Sequence, residues 1–257
     1  MNRISPIIDK HLDDTQLGFR KGKGTRDGIF LLRNTCERMM DCQKDLNLCF
    51  IVYAKAFDRV NHEKLIEALA KAGIPSHERR LGCIFSPPLF NLYSEYLLQE
   101  AISEKSGILI NGVDINNIRC ADDTVILAES EEQLQAMLNR IVDKCKEYGM
   151  EINAKKTKTM HIGRDTKTFT VAVGNAVLDQ VSKYLYLGHM IKEDVATLKE
   201  VQIRIEKTRQ QFGENKKLLR RNVGLNIKKR ILACYISSVF KYGCEAWTYS
   251  KTVQKKI

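Results

Sequence analysis

Ile118-Arg119-Cys120-Ala121-Asp122-Asp123-Thr124-Val125-Ile126-Leu127-Ala128 sets two adjacent carboxylates between two apolar runs. The flanking residues favour strands, so the stretch predicts a buried β-hairpin with Asp122 and Asp123 at its tip. Neighbouring carboxylates repel one another, and a divalent cation or water relieves them. The pair therefore reads as the seat of a divalent metal. Asp is also a common turn residue, and this stretch alone is equally compatible with an ordinary turn.

Working outward, the 257 residues suffice for one large domain or two small ones, and 44% hydrophobic content can fill a core, which excludes global disorder. Lys and Arg number 42 against 31 Asp and Glu, a net charge of +11 that favours a polyanionic partner. Nucleic acid is preferred over a membrane surface. No apolar run is long enough to span a bilayer, and Met1-Asn2-Arg3-Ile4-Ser5 lacks the hydrophobic region of a signal peptide. Cys36, Cys42, Cys49, Cys83, Cys120, Cys145, Cys234 and Cys244 include no Cys-x-x-Cys pair and sit mostly among apolar neighbours. They predict buried free thiols in a reducing compartment, cytoplasm or nucleus, rather than disulfides or zinc. No protein partner is predicted.

Helices and short strands alternate along most of the chain. A basic glycine loop, Phe19-Arg20-Lys21-Gly22-Lys23-Gly24-Thr25, suits phosphate contact or is a solvated turn, and precedes a helix over 26–40. The apolar run 48–53 reads as a strand, followed by a helix with Asp58 or Asn61 as its N-cap. A helix over 86–101 tolerates Pro87 and Pro88 only in its first turn, and Asn111-Gly112 marks a hairpin between 108–110 and 113–115. Beyond the acid pair, 134–148 has helical periodicity closed by Gly149. From about Glu193 the chain turns basic and helical over 196–221 and 227–240, with no strand signal until 242–247. Its Lys and Arg suit nucleic-acid contact or a solvated helix face.

Several blocks, in order, resemble the reverse transcriptase of LINE-type (non-LTR) retrotransposons. Residues 16–27, Gln16-Leu17-Gly18-Phe19-Arg20 through Arg26-Asp27, resemble its fingers motif, and Tyr53-Ala54-Lys55-Ala56-Phe57-Asp58 its first palm motif. Gly82-Cys83-Ile84-Phe85-Ser86-Pro87 with Leu89-Phe90-Asn91-Leu92-Tyr93 resembles the second, and Cys120-Ala121-Asp122-Asp123 the aromatic-Ala-Asp-Asp box. Gly149-Met150-Glu151-Ile152-Asn153 with Lys155-Lys156-Thr157 resembles the fourth motif, Tyr184-Leu185-Tyr186-Leu187-Gly188 the primer grip, and 242–247 a segment beyond the thumb.

The resemblance implies an α+β right-hand fold: partial fingers and a palm with a small antiparallel sheet over 1–192, and an all-helical basic thumb over 193–257. It implies Asp122 and Asp123 as catalytic metal ligands for Mg²⁺ or Mn²⁺, and Lys156, or less readily Lys155, as the acid to pyrophosphate. Phe57 would be the gate against a ribose 2′-hydroxyl; Gly82, Arg20 and Arg26 would contact substrate; Leu187 and Gly188 would grip the primer. An RNA template with a DNA primer, or an RNA–DNA hybrid, would be the partner, with deoxynucleotides if the chain is active.

Departures from the pattern predict that it is inactive. The family places an Asp five residues before the aromatic gate, where this chain has Val52, and hydrocarbon cannot ligate a hard cation. Asp58, lying further on and read as a helix cap, does not replace it. Leu81 stands for a Gln, Cys120 for an aromatic, and only residues 75–80 separate Ile74 from Leu81 where relatives carry a longer stretch. The metal would then be held weakly if at all. Two rival expectations are a binding module without chemistry and an unstable product of a decayed element.

Overall fold

The computed structural model describes residues 4–77, 87–102, 106–110, 112–221, 223–248 and 251–255. After a short helix α1 (Ser5–Asp9) come α2 (Thr25–Asp41), strand β1 (Leu46–Ile51), α3 (His62–Lys71) and α4 (Pro87–Ala101). The hairpin β2 (Ile108–Ile110) and β3 (Val113–Ile115) is followed by β4 (Asn117–Cys120), β5 (Asp123–Ala128) and α5 (Glu131–Glu147). Then come β6 (Lys158–Ile162), β7 (Ala172–Val173), β8 (Ala176–Val177), β9 (Asp179–Gln180) and the hairpin β10 (Lys183–Tyr186) and β11 (His189–Lys192). The last segment is helical: α6 (Leu198–Arg220), α7 (Leu225–Ile231), a π-helical turn over Leu232–Ser237, and α8 (Ser238–Lys241).

The main sheet has the order β4-β5-β1-β6-β9, so β1 lies at its centre with every residue buried. β1 pairs antiparallel with β5 from Asn47↔Ala128 to Ile51↔Thr124, and with β6 from Leu46↔Ile162 to Phe50↔Lys158. Only the short β6–β9 pairing is parallel. Cys49, Ile51, Ile126 and Ala128 pack in one cluster with α4 and α5, through Leu92, Leu97, Leu134, Met137, Leu138 and Ile141. Leu46, Leu48, Phe50, Val125 and Leu127 pack in the other with Leu32, Cys36 and Met39 of α2. A strand covered on both faces carries an unbroken apolar run instead of alternation, which is why 48–53 is so uniformly hydrophobic.

Helix boundaries follow local chemistry. The Ser130 hydroxyl accepts the Gln133 amide, capping α5. At its other end Gly149 has φ +68, with the Met150 amide donating to the Cys145 carbonyl at 2.7 Å, a Schellman closure. Pro87 and Pro88 occupy the first turn of α4, where a missing amide hydrogen costs no helix bond.

Three expectations need correction. Asn61, not Asp58, caps α3: its side chain accepts the Glu63 and Lys64 amides at 2.9 and 3.2 Å, while Asp58 sits exposed in a 3₁₀ turn over Ala56–Arg59. Residues 242–247 form a 3₁₀ turn, Cys244–Ala246, in place of a strand, because no neighbouring strand offers an edge to pair with. Among the described cysteines Cys36, Cys49 and Cys145 are buried, but Cys42 and Cys234 are exposed. Leu81 and the second-motif residues before Pro87, Gly82 and Cys83 among them, lie outside the described residues.

Because β1 is central and Leu48 wholly buried, Leu48→Ala is expected to cost about 2–5 kcal/mol in urea unfolding, against about 0.5 kcal/mol or less for Leu109→Ala on an exposed hairpin.

Candidate functional site

The acid turn is short and tight. Cys120↔Asp123 is the last pair of the β4–β5 ladder, so Ala121 and Asp122 form its two-residue tip. Ala121 has φ +62, a left-handed conformation that L residues seldom adopt. Asp122 and Asp123 are both open to solvent. Even so, the atoms around Asp123 desolvate its carboxyl and raise its pKa from the ordinary value, and the charge of Asp122 adds to the rise. The Cys120 thiol is pushed up to about 11, by desolvation first and then by the two carboxylates.

Alternation along β5 puts Asp123 on the face of Val125 and Leu127. The β1–β5 register ends at Ile51↔Thr124, and one more step sets Val52 beside Asp123 on that same face. Val52 is half-buried. Its amide donates to Thr157 Oγ1 at 3.2 Å and its carbonyl accepts the Asn153 amide at 2.8 Å. Those bonds bring up the turn that carries Lys155 and Lys156, both exposed, with the Lys156 amide held by Asn153. Asp122, Asp123, Val52 and the lysine turn thus converge at one end of the sheet.

Phe57 lies in the 3₁₀ turn after β1, half-buried, with its ring 4.6 Å from that of Phe90 on α4. One face of the ring belongs to the core while the residue keeps some exposure. The chain reaches this turn through Lys55 at φ +52, so Asp58 is carried away from the strand direction.

Of the two arginines expected to contact substrate, Arg20 lies in the glycine loop and Arg26 in the first turn of α2. Arg20 is nearly buried and fully engaged: it pairs with Asp9 at 2.6 Å and donates to the carbonyls of Asp13, Gln16 and Asp9. Arg26 pairs with Glu245 and keeps about half its side chain exposed.

Leu187 and Gly188, at φ +47 and +75, form the two-residue turn of the β10–β11 hairpin, the type I′ geometry that suits strand twist. Both carbonyls are held from the helical segment. The Tyr242 hydroxyl donates to Leu187 O at 2.7 Å, and Arg204 Nη2 donates to Gly188 O. Arg204 lies over the Tyr242 ring at 4.7 Å and pairs with the buried Glu200. Beneath the turn, Tyr184 stacks on Phe50 at 4.1 Å, and its hydroxyl pKa is raised by desolvation and by the charge of Asp123. Arg204 and Tyr242 were not found as site residues in the sequence; Tyr242 opens the post-thumb block, but nothing in its spacing points back to residue 187.

Among the described residues no group of three or more His, Cys, Asp or Glu side chains gathers as a metal cage. The donor set present is two adjacent carboxylates. It fits one ion held largely through water, and does not fit two bridged ions, because Val52 offers no oxygen. Among the described residues no helix is long and apolar enough to cross a membrane.

Residues 1–191 match the family model described as "Reverse transcriptase (RNA-dependent DNA polymerase)". The chain is 28% identical over 151 residues to an uncharacterized transposon-derived protein of Caenorhabditis elegans, covering 58% of this chain and 54% of that one. It is 28% identical over 220 residues to the retrovirus-related Pol polyprotein from type-1 retrotransposable element R2 of Nasonia vitripennis, covering 69% and 21%. With a Drosophila melanogaster protein named as a probable RNA-directed DNA polymerase from transposon BS it shares 22% over 296 positions, covering 96% and 31%. Those 296 positions exceed the 257 residues of this chain, so that relative carries residues for which this chain has none. The chain spans about a fifth to a half of the length of these relatives. It overlays on telomerase from Candida albicans with a TM-score of 0.48 and 11% identity, over 99% of this chain and 48% of that one.

A raised carboxyl pKa means that the folded state disfavours the ionised Asp123, so stability falls as pH rises through the carboxylate range and recovers below it. Asp123→Asn is accordingly expected to raise Tm slightly at pH 7, by about 1 °C, and to lose that gain below about pH 4 in calorimetric scans.

Proposed function

The chain belongs to the reverse transcriptase (RNA-dependent DNA polymerase) family, and we propose that it is a degenerate palm and thumb of a LINE-type element that retains a nucleic-acid surface but not the two-ion chemistry. Members of the family use divalent metal ions and bind nucleic-acid templates and primers. In this reading Asp122 and Asp123 hold a single Mg²⁺ or Mn²⁺ weakly, Phe57 is the gate, and Lys156 is the acid to pyrophosphate. Leu187 and Gly188 grip the primer, Arg26 and Gly82 are the substrate-binding residues, and 193–257 is the thumb. Arg20 serves better as the tie of the fingers loop. The partner is an RNA template with a DNA primer, or their hybrid, met in cytoplasm or nucleus.

The observation that carries the reading is Val52. The register sets it beside Asp123, where the two-ion mechanism needs a carboxylate that bridges ions about 4 Å apart. An aliphatic side chain there leaves two adjacent acids on one strand turn and no clamp across two strands.

Val52→Asp tests this directly. A third carboxylate beside Asp123 adds repulsion without metal, so the variant is expected to melt below the unmodified chain in chelator. Mn²⁺ should close that gap and bind about tenfold more tightly than in the unmodified chain, by titration calorimetry. Primer extension on an RNA template should be absent from the unmodified chain and return when Val52→Asp is combined with a relative's segment before Leu81. Extension by the unmodified chain would overturn the reading.

A binding module without chemistry is favoured by the charge of +11 and by the basic run of α6 and α7. Affinity for an RNA–DNA hybrid should fall steeply with salt, the slope of log K against log salt being about 0.7–0.9 per phosphate neutralised. A flat response would exclude it.

A further inference from the structure

Gln16 is wholly buried, yet it belongs to a loop segment and not to the core. Its Oε1 accepts two amides, Gly18 N–H at 3.1 Å and Ala121 N–H at 3.3 Å. Both partners are donors, which fixes the orientation of the carboxamide. The segment around it lies along the outer edge of β4: Leu17 N–H donates to Arg119 O at 2.8 Å, and Arg119 N–H to Thr15 O at 2.9 Å. A Cβ on Gly18 would stand 2.5 Å from the Ala121 nitrogen and 2.9 Å from the Cys120 carbonyl carbon, so the two backbones touch there.

Helix α4 closes the arrangement from behind. The Asn91 Nδ2 donates to Gly18 O at 2.6 Å, and Glu95 Oε2 accepts both the Asp13 amide at 3.1 Å and Arg119 Nη2 at 2.8 Å. Asn91, Glu95 and Arg119 are all essentially inaccessible. The left-handed Ala121 is thus pressed by Gly18 and bonded by Gln16.

We propose that Gln16, backed by Gly18 and Asn91, is the positioning residue of the acid turn: by holding the Ala121 amide it sets where the Asp122 and Asp123 carboxylates point. The proposal rests on the reading that this turn holds a divalent cation, and it assigns to Gln16 and Gly18 a structural service to the acids. Removing the acceptor frees a buried amide and lets Ala121 leave its uncommon conformation, and the two carboxylates swing with it.

The test compares the full chain with Gln16→Met, which keeps volume without the acceptor; Gln16→Glu, which keeps an acceptor oxygen; and Leu32→Ala, which destabilises the core from α2 and removes no hydrogen bond to the turn. Mn²⁺ affinity is read from water-proton relaxation, and hydrogen exchange at the Ala121 amide from NMR. Gln16→Met is expected to weaken Mn²⁺ about tenfold and to speed Ala121 exchange by a similar factor. Gln16→Glu should keep Ala121 exchange close to that of the unmodified chain, and Leu32→Ala should leave Mn²⁺ affinity unchanged despite its lower Tm. Should Gln16→Met fail to fold, Gly18→Ala, whose methyl displaces the turn with Gln16 still present, is expected to weaken Mn²⁺ to the same degree. Unchanged affinity and unchanged Ala121 exchange in a folded Gln16→Met overturn the proposal, as does an equal loss of affinity in Leu32→Ala. If the unmodified chain binds no Mn²⁺, the cation reading fails by itself, and Ala121 exchange alone decides: faster in Gln16→Met supports the positioning role, unchanged exchange overturns it.

Discussion

The antiparallel pairing of β1 with β5 is the constraint from which the rest of the structure follows. Both strands are apolar, and both of β1's faces are covered, so a slip of one residue would move Leu48 and Phe50 from one packed cluster into the other. The volumes on the two sides differ: α2 offers Leu32, Cys36 and Met39, whereas α4 and α5 offer a larger set of Leu, Met and Ile. Packing therefore locks the register. The register in turn decides which residue leaves β1 toward the acid turn, and one step past Ile51↔Thr124 that residue is Val52.

A second set of contacts joins the ends of the chain. Arg33 of α2 is buried and donates to the carbonyls of Ala246 and Val195 while pairing with Glu37. Tyr242 bonds Thr25 as well as Leu187, and Arg204 bonds Gly188. The buried His189 beneath this turn is held near a pKa of about 4, chiefly by desolvation, so it stays neutral amid Arg33, Arg204 and Glu200. Buried ionic groups of this kind add little net stability, since desolvation offsets their attraction, but each is costly to leave unpaired. Their effect is to fix how the helical segment seats on α2 and on the hairpin turn that it grips.

Much of this was readable from residues alone. The helices over α2, α4 and α5 follow from 3.6-residue periodicity, and the turn at Asp122 from strand-forming flanks. Gly149 closes α5 as its spacing implied, and the basic 196–221 stretch is helical. Local signals failed where two of them competed, as Asp58 and Asn61 did for one cap. Asn61 won because it lies next to the first helical turn and can reach two free amides. The apparent strand over 242–247 failed for a different reason, since β-propensity without a partner edge gives only a turn.

The sequence by itself determined the family, the identity of the acid pair, and the hydrocarbon standing where a carboxylate is needed, because these are properties of residue type and order. Only the tertiary structure decided that Val52 comes up beside Asp123, that Arg20 is spent on its own loop, that Gln16 accepts the amide of Ala121 more than 100 residues further on, and that Asn91 bonds back to Gly18. Those relations depend on strand register and on backbone groups seeking buried partners, and neither is written in the local spacing of side chains.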